Sequence, residues 1–283
     1  MTSDEIAPRT IGLVLVRPTH QLGAEPFYQE LIAGIDRVFG ALGFSLLVQV
    51  VSNLQEELDT YRRWAAAGRI GGVMLVDLGR SDVRVQLTIE LGLAAVVIGE
   101  PETAGPLPCV WIDDATAIRT AVQRLAGLGH RTVGRVSGPR AFAHSQIRAE
   151  AFLDESSSVG VRAVEIEADY SQESGRLATG ELLRLSPRPT AIVYDDDLMA
   201  LGGLSAVAEA GLTVPGDVSM LAWDDSALCQ LSTPKLSALG HDVQAFGELA
   251  AGAMLALLRD GVVATHEAPI ATFVDRGSVT RRA

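Results

Sequence analysis

The sequence predicts an α/β protein with two doubly wound lobes, each built on a parallel sheet. Strand-like and helix-like segments alternate from residue 10 to residue 275, as in repeated βα units. Aromatic residues make up only 5% of the chain, and small aliphatic residues suit short strands packed closely against helices. The number of βα units is too high for one ordinary open sheet, so two lobes are favoured. A (β/α)₈ barrel is the competing fold.

The first part of the chain alternates regularly. Apolar, β-branched runs predict strands at 10–16, 44–51, 70–76, 94–99 and 109–113. Helical spacing of apolar residues predicts helices at 27–43, 54–68 and 82–92. The short strand at 109–113 has no predicted helix before it, which indicates a break and a change of lobe at this point.

The alternation then restarts in the second part. Helices are predicted at 115–129, 144–155, 171–185, 198–211 and 243–261. Strands are predicted at 132–138, 162–168, 190–194 and 218–224, an extended piece at 235–240, and a last strand at 268–275. Parallel strands of this kind are joined by right-handed helical crossovers, with helices on both faces of the sheet.

Composition narrows the class of protein. The formal net charge of −12 opposes binding of nucleic acid by the surface as a whole. Cys109 and Cys229 have no metal-binding spacing, so free thiols in a reducing cytoplasm are expected. The polar start lacks a signal peptide, and no apolar run reaches the roughly 18 residues that cross a bilayer. We expect a cytoplasmic protein without membrane, metal or cofactor.

Polar and aromatic residues follow the predicted strands, where ligands of open parallel sheets bind. The groups are Asp195, Asp196 and Asp197; Asp224; Phe142, His144 and Arg148; Tyr170; and Phe27 with Tyr28. Carboxylates accept from sugar hydroxyls, arginine donates to oxygens, and rings cover apolar sugar faces, so this set is typical of a polyol site. Structural roles also stay open: Asp197 as a helix cap and Arg148 as a solvated cation. Phe142 and Tyr170 could be core or rim aromatics, and His144 and His241 could be surface or capping residues.

Motifs of catalysis are not found. The sequence has no G-x-S-x-G, H-E-x-x-H or Walker A pattern, and a proline opposes a helical reading of the S-x-x-K match at 232–235. The carboxylates of 195–197 could suggest a metal site, but adjacent residues of an extended chain point to opposite sides. No catalytic residue is predicted.

Several stretches resemble one family of bacterial regulators. They are 26–36, 128–139, 146–152, 189–225 and 231–242, together with the ending "FVDRGSVTRR". In these stretches the chain resembles the effector-binding core of lactose/galactose-repressor (LacI/GalR) regulators. The resemblance implies two type I periplasmic-binding-protein-like lobes joined by three crossover strands, with an N-lobe of 10–113 and 241–267 and a C-lobe of 114–240 and 268–283. Residues 1–9 then lie outside both lobes, as a disordered segment or a remnant of truncation.

The resemblance also implies the contacts of a small effector. They are Phe27, Tyr28, Phe142, His144, Arg148, Tyr170, Asp196, Asp224 and His241. Asp196 stands where the family usually has Asn, which makes the site unusually anionic. A phosphorylated sugar is then less expected, although Arg148 keeps that alternative open. Asp197 is then the helix cap, and Asp195 is a bystander whose side chain points away.

The function implied is that of an effector sensor. A small sugar or polyol-like molecule binds in the cleft between the lobes, and lobe closure is coupled to DNA binding by a helix-turn-helix domain that this sequence lacks. The implied partners are the effector, operator DNA through that missing domain, and a second copy in a homodimer. Two alternatives stay open: a solute-binding receptor of a sugar ABC transporter, and a glycosidase or sugar-nucleotide transferase using Asp196 and Asp224.

Overall fold

The computed structural model describes residues 9–17 and 25–282. The chain divides into two compact units, and it passes from one to the other three times. The N-terminal unit comprises residues up to Ile112 and Asp242–Ala268, and the C-terminal unit comprises Asp113–His241 and the residues from Pro269. The predicted lobe boundaries lie one residue away and stay a prediction. The prediction for residues 1–9 falls, except for Arg9, outside the described residues.

The described residues contain twelve strands, β1 to β12, and ten helices, α1 to α10, in chain order. The strands are Thr10–Val16, Ser45–Val51, Gly72–Leu75, Ala95–Ile98, Cys109–Trp111, Thr132–Ser137, Arg162–Glu167, Ala191–Tyr194, Ser219–Trp223, Ser237–Gly240, Thr265–Glu267 and Thr272–Val274. The helices are Pro26–Ala41, Leu54–Ala67, Val83–Glu90, Pro101–Ala104, Asp114–Gly127, Ala143–Ser158, Gln172–Leu183, Asp197–Glu209, Ala227–Leu231 and Val243–Asp260.

The strands form two six-stranded sheets, so the predicted fold class is confirmed and a closed barrel is wrong. The sheet of the N-terminal unit has the order β11-β5-β4-β3-β1-β2, and its neighbouring strands are parallel. The sheet of the C-terminal unit has the order β12-β10-β9-β8-β6-β7, with only the β10–β12 pair antiparallel. Parallel strands that are buried on both faces have nearly continuous apolar sequences, so the hydrophobic pattern of the sequence predicted them.

Each sheet separates two hydrophobic clusters. In β1, Leu13 joins a cluster with residues of α1 and α10, whereas Val14 joins another cluster with Tyr61 of α2. Successive side chains of a strand point to opposite faces, so one strand supplies both layers. β8 of the C-terminal unit does the same, because Val193 and Ile192 belong to different clusters. The doubly wound architecture therefore follows from strands with apolar residues on both faces.

The end of the chain differs from the prediction of one strand at 268–275. The structure has β11 in the sheet of the N-terminal unit and β12 in the sheet of the C-terminal unit. Pro269 lies between them and cannot donate a ladder hydrogen bond. The outer residues of β11, Thr265 and Glu267, are exposed, so no apolar pattern marked that strand. The short helices α4 and α9 were also not predicted, because four or five residues carry too little periodicity.

Within the described ranges, no helix is both long and apolar enough to cross a membrane. Cys109 and Cys229 are free, as expected, and both are buried.

Two glycines let α1 and α10 approach closely. A Cβ added at Gly34 would lie 2.0 Å from the carbonyl oxygen of Gln244, and one at Gly247 would lie 2.3 Å from that of Leu31. These partners are backbone atoms, which cannot move without shifting a whole helix. The contact between the two helices therefore requires glycine at both positions.

We predict opposite effects for two glycine substitutions in α10. Gly247→Ala should lower the free energy of unfolding by about 1–3 kcal/mol, because the methyl group overlaps the backbone of α1. Gly252→Ala is the matched control: its methyl group meets no described atom within 4 Å. Since alanine is the better helix former, Gly252→Ala should raise stability by roughly 0.5–1 kcal/mol. Urea denaturation measures both, and equal effects would contradict the packing described.

Candidate functional site

Asp195 lies directly after β8 and is held by a buried ion pair. Arg135 of β6 donates to both carboxylate oxygens, from Nε at 2.9 Å and from Nη2 at 2.5 Å. The backbone N–H of Gly138 donates to the same carboxylate at 3.1 Å. Arg135 also pairs with Glu165. Asp195 is therefore a structural anchor between neighbouring strands, although the sequence suggested only a bystander.

Asp196, and not Asp197, caps helix α8. Its backbone is extended, with φ −155° and ψ 162°, and its carboxylate accepts from the Met199 N–H at 2.6 Å. An N-cap needs this extended backbone so that its side chain can reach the free N–H groups of the first turn. The prediction that Asp197 is the cap is therefore wrong. A ligand contact by Asp196 stays a prediction.

Asp197 is the first residue of α8, and its carboxyl group is buried. Among the described residues, its Oδ2 has no hydrogen-bond partner. Burial raises the pKa of Asp197 from the ordinary 3.8 to about 7, and the charge of Asp224 adds to the rise, whereas hydrogen bonds from Ser226 oppose it. Near neutral pH this carboxyl group is therefore partly protonated.

Arg148 of α6 is buried and paired, not solvated. Its Nε and Nη2 donate to the two carboxylate oxygens of Asp114 at 3.1 and 3.3 Å, and its Nη1 donates to the carbonyl oxygen of Asp195 at 3.1 Å. The guanidinium carbon lies 3.7 Å from the centroid of the Trp223 ring. Burial lowers the pKa of Arg148, but the charges of Asp114, Asp195 and Asp224 raise it above its ordinary value overall. The cation is fixed by one carboxylate, one carbonyl and one ring.

Asp224 follows β9 in an uncommon backbone conformation. Its φ of +59° is left-handed, which costs a non-glycine residue about 1–3 kcal/mol. Its carboxylate lies 3.0 Å from Nε2 of His241. Because Asp224 also raises the pKa of both Arg148 and Asp197, its carboxylate belongs to their surroundings.

Three rings form an aromatic cluster beside these groups. The hydroxyl group of Tyr170 lies 2.8 Å from Nε2 of His144 and 3.1 Å from Oγ of Ser145. The rings of Phe142 and Tyr170 are parallel within 7°, with centroids 6.4 Å apart. Tyr170 has φ +66°, and a Cβ at Gly138 would lie 2.0 Å from its hydroxyl oxygen. The ring can occupy this place only because residue 138 is glycine.

In the N-terminal unit, Tyr28 belongs to a network that was not predicted. Its hydroxyl group donates to Asp77 at 2.7 Å, and Asp77 also accepts from Arg17 at 2.8 Å. Arg17 further pairs with Glu25 at 2.6 Å, and its guanidinium carbon lies 5.0 Å from the centroid of the Tyr28 ring. Phe27 packs edge-on against Tyr28, with centroids 5.2 Å apart.

Arg84 holds the backbone of Asp77 in place. Its guanidinium group donates to the carbonyl oxygens of Val76 and Asp77, at 3.1 and 2.7 Å. It also pairs with the buried Glu57, at 3.1 Å. Asp77 has φ +53°, so these bonds hold a backbone conformation that aspartate seldom adopts.

The structure thus brings together most predicted residues of the C-terminal unit. Phe142, His144 and Tyr170 form one group. Asp224 lies with Arg148 and His241, because it contacts His241 and its charge acts on Arg148. Phe27 and Tyr28 lie together in the N-terminal unit. That all nine predicted residues contact one ligand stays a prediction.

Sequence reasoning missed Asp114 and Trp223 beside Arg148, and Arg17 and Asp77 beside Tyr28. Arg17 and Asp114 follow strands β1 and β5, so the rule that selected the other candidates could have found them. Within the described part of the chain, no group of three or more His, Cys, Asp or Glu residues is placed to hold a metal ion.

Comparison with known proteins gives consistent matches. Residues 122–279 match the family model of the periplasmic binding protein-like domain. The chain is 27% identical to the HTH-type transcriptional regulator CelR of Thermobifida fusca, over 92% of this chain and 77% of CelR. It is 33% identical to a LacI family transcriptional regulator from Bifidobacterium animalis subsp. lactis, with a TM-score of 0.89 over 97% of this chain and 99% of that one.

A further structure is a complex of the transcriptional regulator CelR with cellobiose. It has a TM-score of 0.88 and is 24% identical, over 95% of this chain and 84% of that one. At that identity the likeness concerns the fold alone. The proteins compared are named as transcriptional regulators and not as enzymes or transport receptors.

We predict that Asp197→Asn stabilises the protein more at high than at low pH. A carboxyl group with a raised folded pKa lowers stability as pH rises from about 4 to about 7, because the unfolded chain releases its proton first. Asparagine does not titrate, so its gain in the free energy of unfolding should be about 1–3 kcal/mol larger at pH 8 than at pH 5. Asp154→Asn, on an exposed position of α6, is the control and should show no such difference. Urea titrations at both pH values measure it; a gain independent of pH would contradict the buried acid.

Proposed function

The chain belongs to the LacI family of transcriptional regulators and carries its periplasmic-binding-protein-like effector domain, and from this premise we propose which chemistry it senses. We propose that the C-terminal unit contributes Arg148, Asp224 and Tyr170 to the binding of a small sugar or polyol-like effector. The observation that carries the proposal is the meeting of a fixed guanidinium group, a carboxylate and aromatic rings where parallel strands end.

The chemistry of these groups supports a hydroxyl-rich ligand. Asp224 offers charge-assisted acceptance to hydroxyl groups, and Arg148 has N–H groups for ring or hydroxyl oxygens. The ring of Tyr170 offers an apolar face of the kind that covers the C–H side of a sugar. A site that hydrogen-bonds hydroxyl groups rejects compounds that leave its polar atoms unpaired, so specificity follows from the same contacts.

We further propose that effector binding changes operator affinity through a helix-turn-helix domain of the whole regulator. A ligand shifts a conformational equilibrium by its difference in affinity for the two states. The coupling is reciprocal, so operator DNA would change effector affinity by the same factor. A homodimer presenting two DNA-binding domains would read two half-sites whose spacing depends on conformation.

The alternative of a transport receptor is not favoured, because the relatives are transcriptional regulators. We infer that the protein is also not an enzyme. Asp224 and Asp196 would have to act as a carboxylate pair for glycoside hydrolysis, yet Asp196 serves as the cap of α8. Release of nitrophenol from nitrophenyl glycosides, lost in Asp224→Asn, would reverse this inference.

A thermal-shift screen tests the proposed ligand class. The panel is cellobiose, maltose, glucose, ribose, xylitol and cytidine, chosen to vary ring size and the number of hydroxyl groups. A ligand at a hundred times its Kd stabilises the folded state by about 2.7 kcal/mol, which corresponds to a rise in Tm of roughly 5 °C. We expect at least one sugar or polyol to produce such a rise. A panel without any shift contradicts the proposed function.

Two adjacent aspartates provide a matched test of the site. Asp224→Asn removes the charge of the proposed acceptor and should weaken binding of the active compound about 10- to 100-fold. Asp225→Asn is the control, because that carboxylate pairs with Arg276 at 2.5 and 2.7 Å. Calorimetric titration of both variants gives the affinities. Equal losses in the two variants would show that Asp224 has no specific role.

A further inference from the structure

Arg148 is a buried cation of the C-terminal unit near Asp224, and its paired donors are already bound by Asp114. An arginine carries five N–H donors, and a phosphate or carboxylate binds best to two parallel ones. Here Nε and Nη2, which form such a pair, both donate to Asp114. A third donor, on Nη1, goes to the carbonyl oxygen of Asp195. Trp223 lies against the guanidinium group, so the remaining contacts are single N–H bonds.

Asp113 and Asp114 are adjacent residues with different roles at the start of α5. Asp113 caps helix α5, accepting from the Thr116 N–H at 2.9 Å. Asp114 is the next residue and enters the first turn, where its side chain is buried. Because the cap is supplied by Asp113, the carboxylate of Asp114 is available to Arg148. The two carboxylates are adjacent in sequence and have different partners.

Two other arginines of the C-terminal unit, Arg135 and Arg140, also form ion pairs with carboxylates. Arg135 pairs with Asp195 and Glu165, and Arg140 pairs with Glu165 and Glu167. In contrast, Asp224 faces His241 and adds negative charge to the surroundings of Arg148. An anion placed here would meet like charges, and their repulsion weakens its binding.

We propose that Asp114 determines the charge of the ligand: by occupying the paired N–H donors of Arg148 it makes the site select an uncharged, hydroxyl-rich molecule and reject its phosphorylated or carboxylated form. This inference rests on the proposed function, since it concerns the same ligand. It assigns a specificity role to a residue that need not contact the ligand itself. Asp114 acts through Arg148, as a positioning residue.

Matched pairs of neutral and phosphorylated sugars test the proposal on the whole chain. The pairs are glucose and glucose 6-phosphate, ribose and ribose 5-phosphate, and cellobiose and cellobiose 6′-phosphate. For the pair whose neutral member binds, the phosphate ester should bind at least about tenfold more weakly to the unmodified protein. Asp114→Asn removes the charge and one of the two acceptor oxygens that bind Arg148, so a phosphate group can compete for the paired donors and the ratio should fall by about tenfold.

Asp113→Asn is the matched control. It removes the same charge from the neighbouring residue, so a general electrostatic effect would change the ratio equally in both variants. We expect Asp113→Asn to keep the cap of α5, because asparagine caps a helix about as well as aspartate, and to keep the ratio of the unmodified protein. A ratio that changes equally in both variants, or in neither, overturns the role of Asp114.

The outcomes separate this inference from the proposed function. If the unmodified protein binds a phosphate ester as tightly as its neutral sugar, the inference is overturned while the proposed function stands. If no sugar, polyol or phosphate ester binds, the proposed function fails and the inference fails with it. If Asp114→Asn does not fold, the unmodified protein is titrated with glucose, glucosamine, glucuronate and glucose 6-phosphate. Tighter binding of glucuronate and glucose 6-phosphate than of glucose and glucosamine would overturn the proposal.

Discussion

The ion pair between Arg135 and Asp195 organises the candidate site of the C-terminal unit. It joins β6 to the end of β8, and its carboxylate also accepts from the N–H of Gly138. Gly138 lies under Tyr170, and the carbonyl oxygen of Asp195 accepts from Arg148. One buried ion pair therefore positions both Gly138, against which Tyr170 packs, and the carbonyl oxygen that accepts from Arg148. A pair of this kind adds little net stability, but removing one partner typically costs about 3–5 kcal/mol, so its value lies in positioning.

Backbone strain occurs at the ends of strands in both units. Asp77, Tyr170 and Asp224 have left-handed φ values, and each follows a parallel strand, β3, β7 or β9. Each costs about 1–3 kcal/mol unless its surroundings hold it. The surroundings are visible here: Arg84 binds the carbonyl oxygen of Asp77, and His144 lies at the hydroxyl group of Tyr170. Local conformations that the chain would not adopt by itself are thus imposed by side chains from other elements.

The fold could be predicted because its signals are repetitive. Most buried strands are largely apolar runs, and the long helices have apolar residues at regular spacing, so the elements missed were short ones such as β11 and α9. The strand-end rule also selected Arg148, Tyr170 and Asp224. It could not assign partners, because the partner of Arg148 lies 34 residues away in sequence, at Asp114. Nor could it give the direction of a side chain: the cap of α8 is Asp196 because that residue, and not Asp197, keeps an extended backbone.

Three adjacent carboxylates coexist at the start of α8 because each is neutralised differently. The charge of Asp195 is balanced by Arg135, and Asp196 lies at the positive end of the helix. Burial favours the protonated form of Asp197, whose pKa is about 7. Counting charges along the sequence therefore overstates how anionic this region is. The guanidinium groups of this region are paired with carboxylates, as Arg148 is with Asp114, whereas Asp224 contacts a histidine. A ligand therefore finds hydrogen-bond acceptors more readily than unpaired cations.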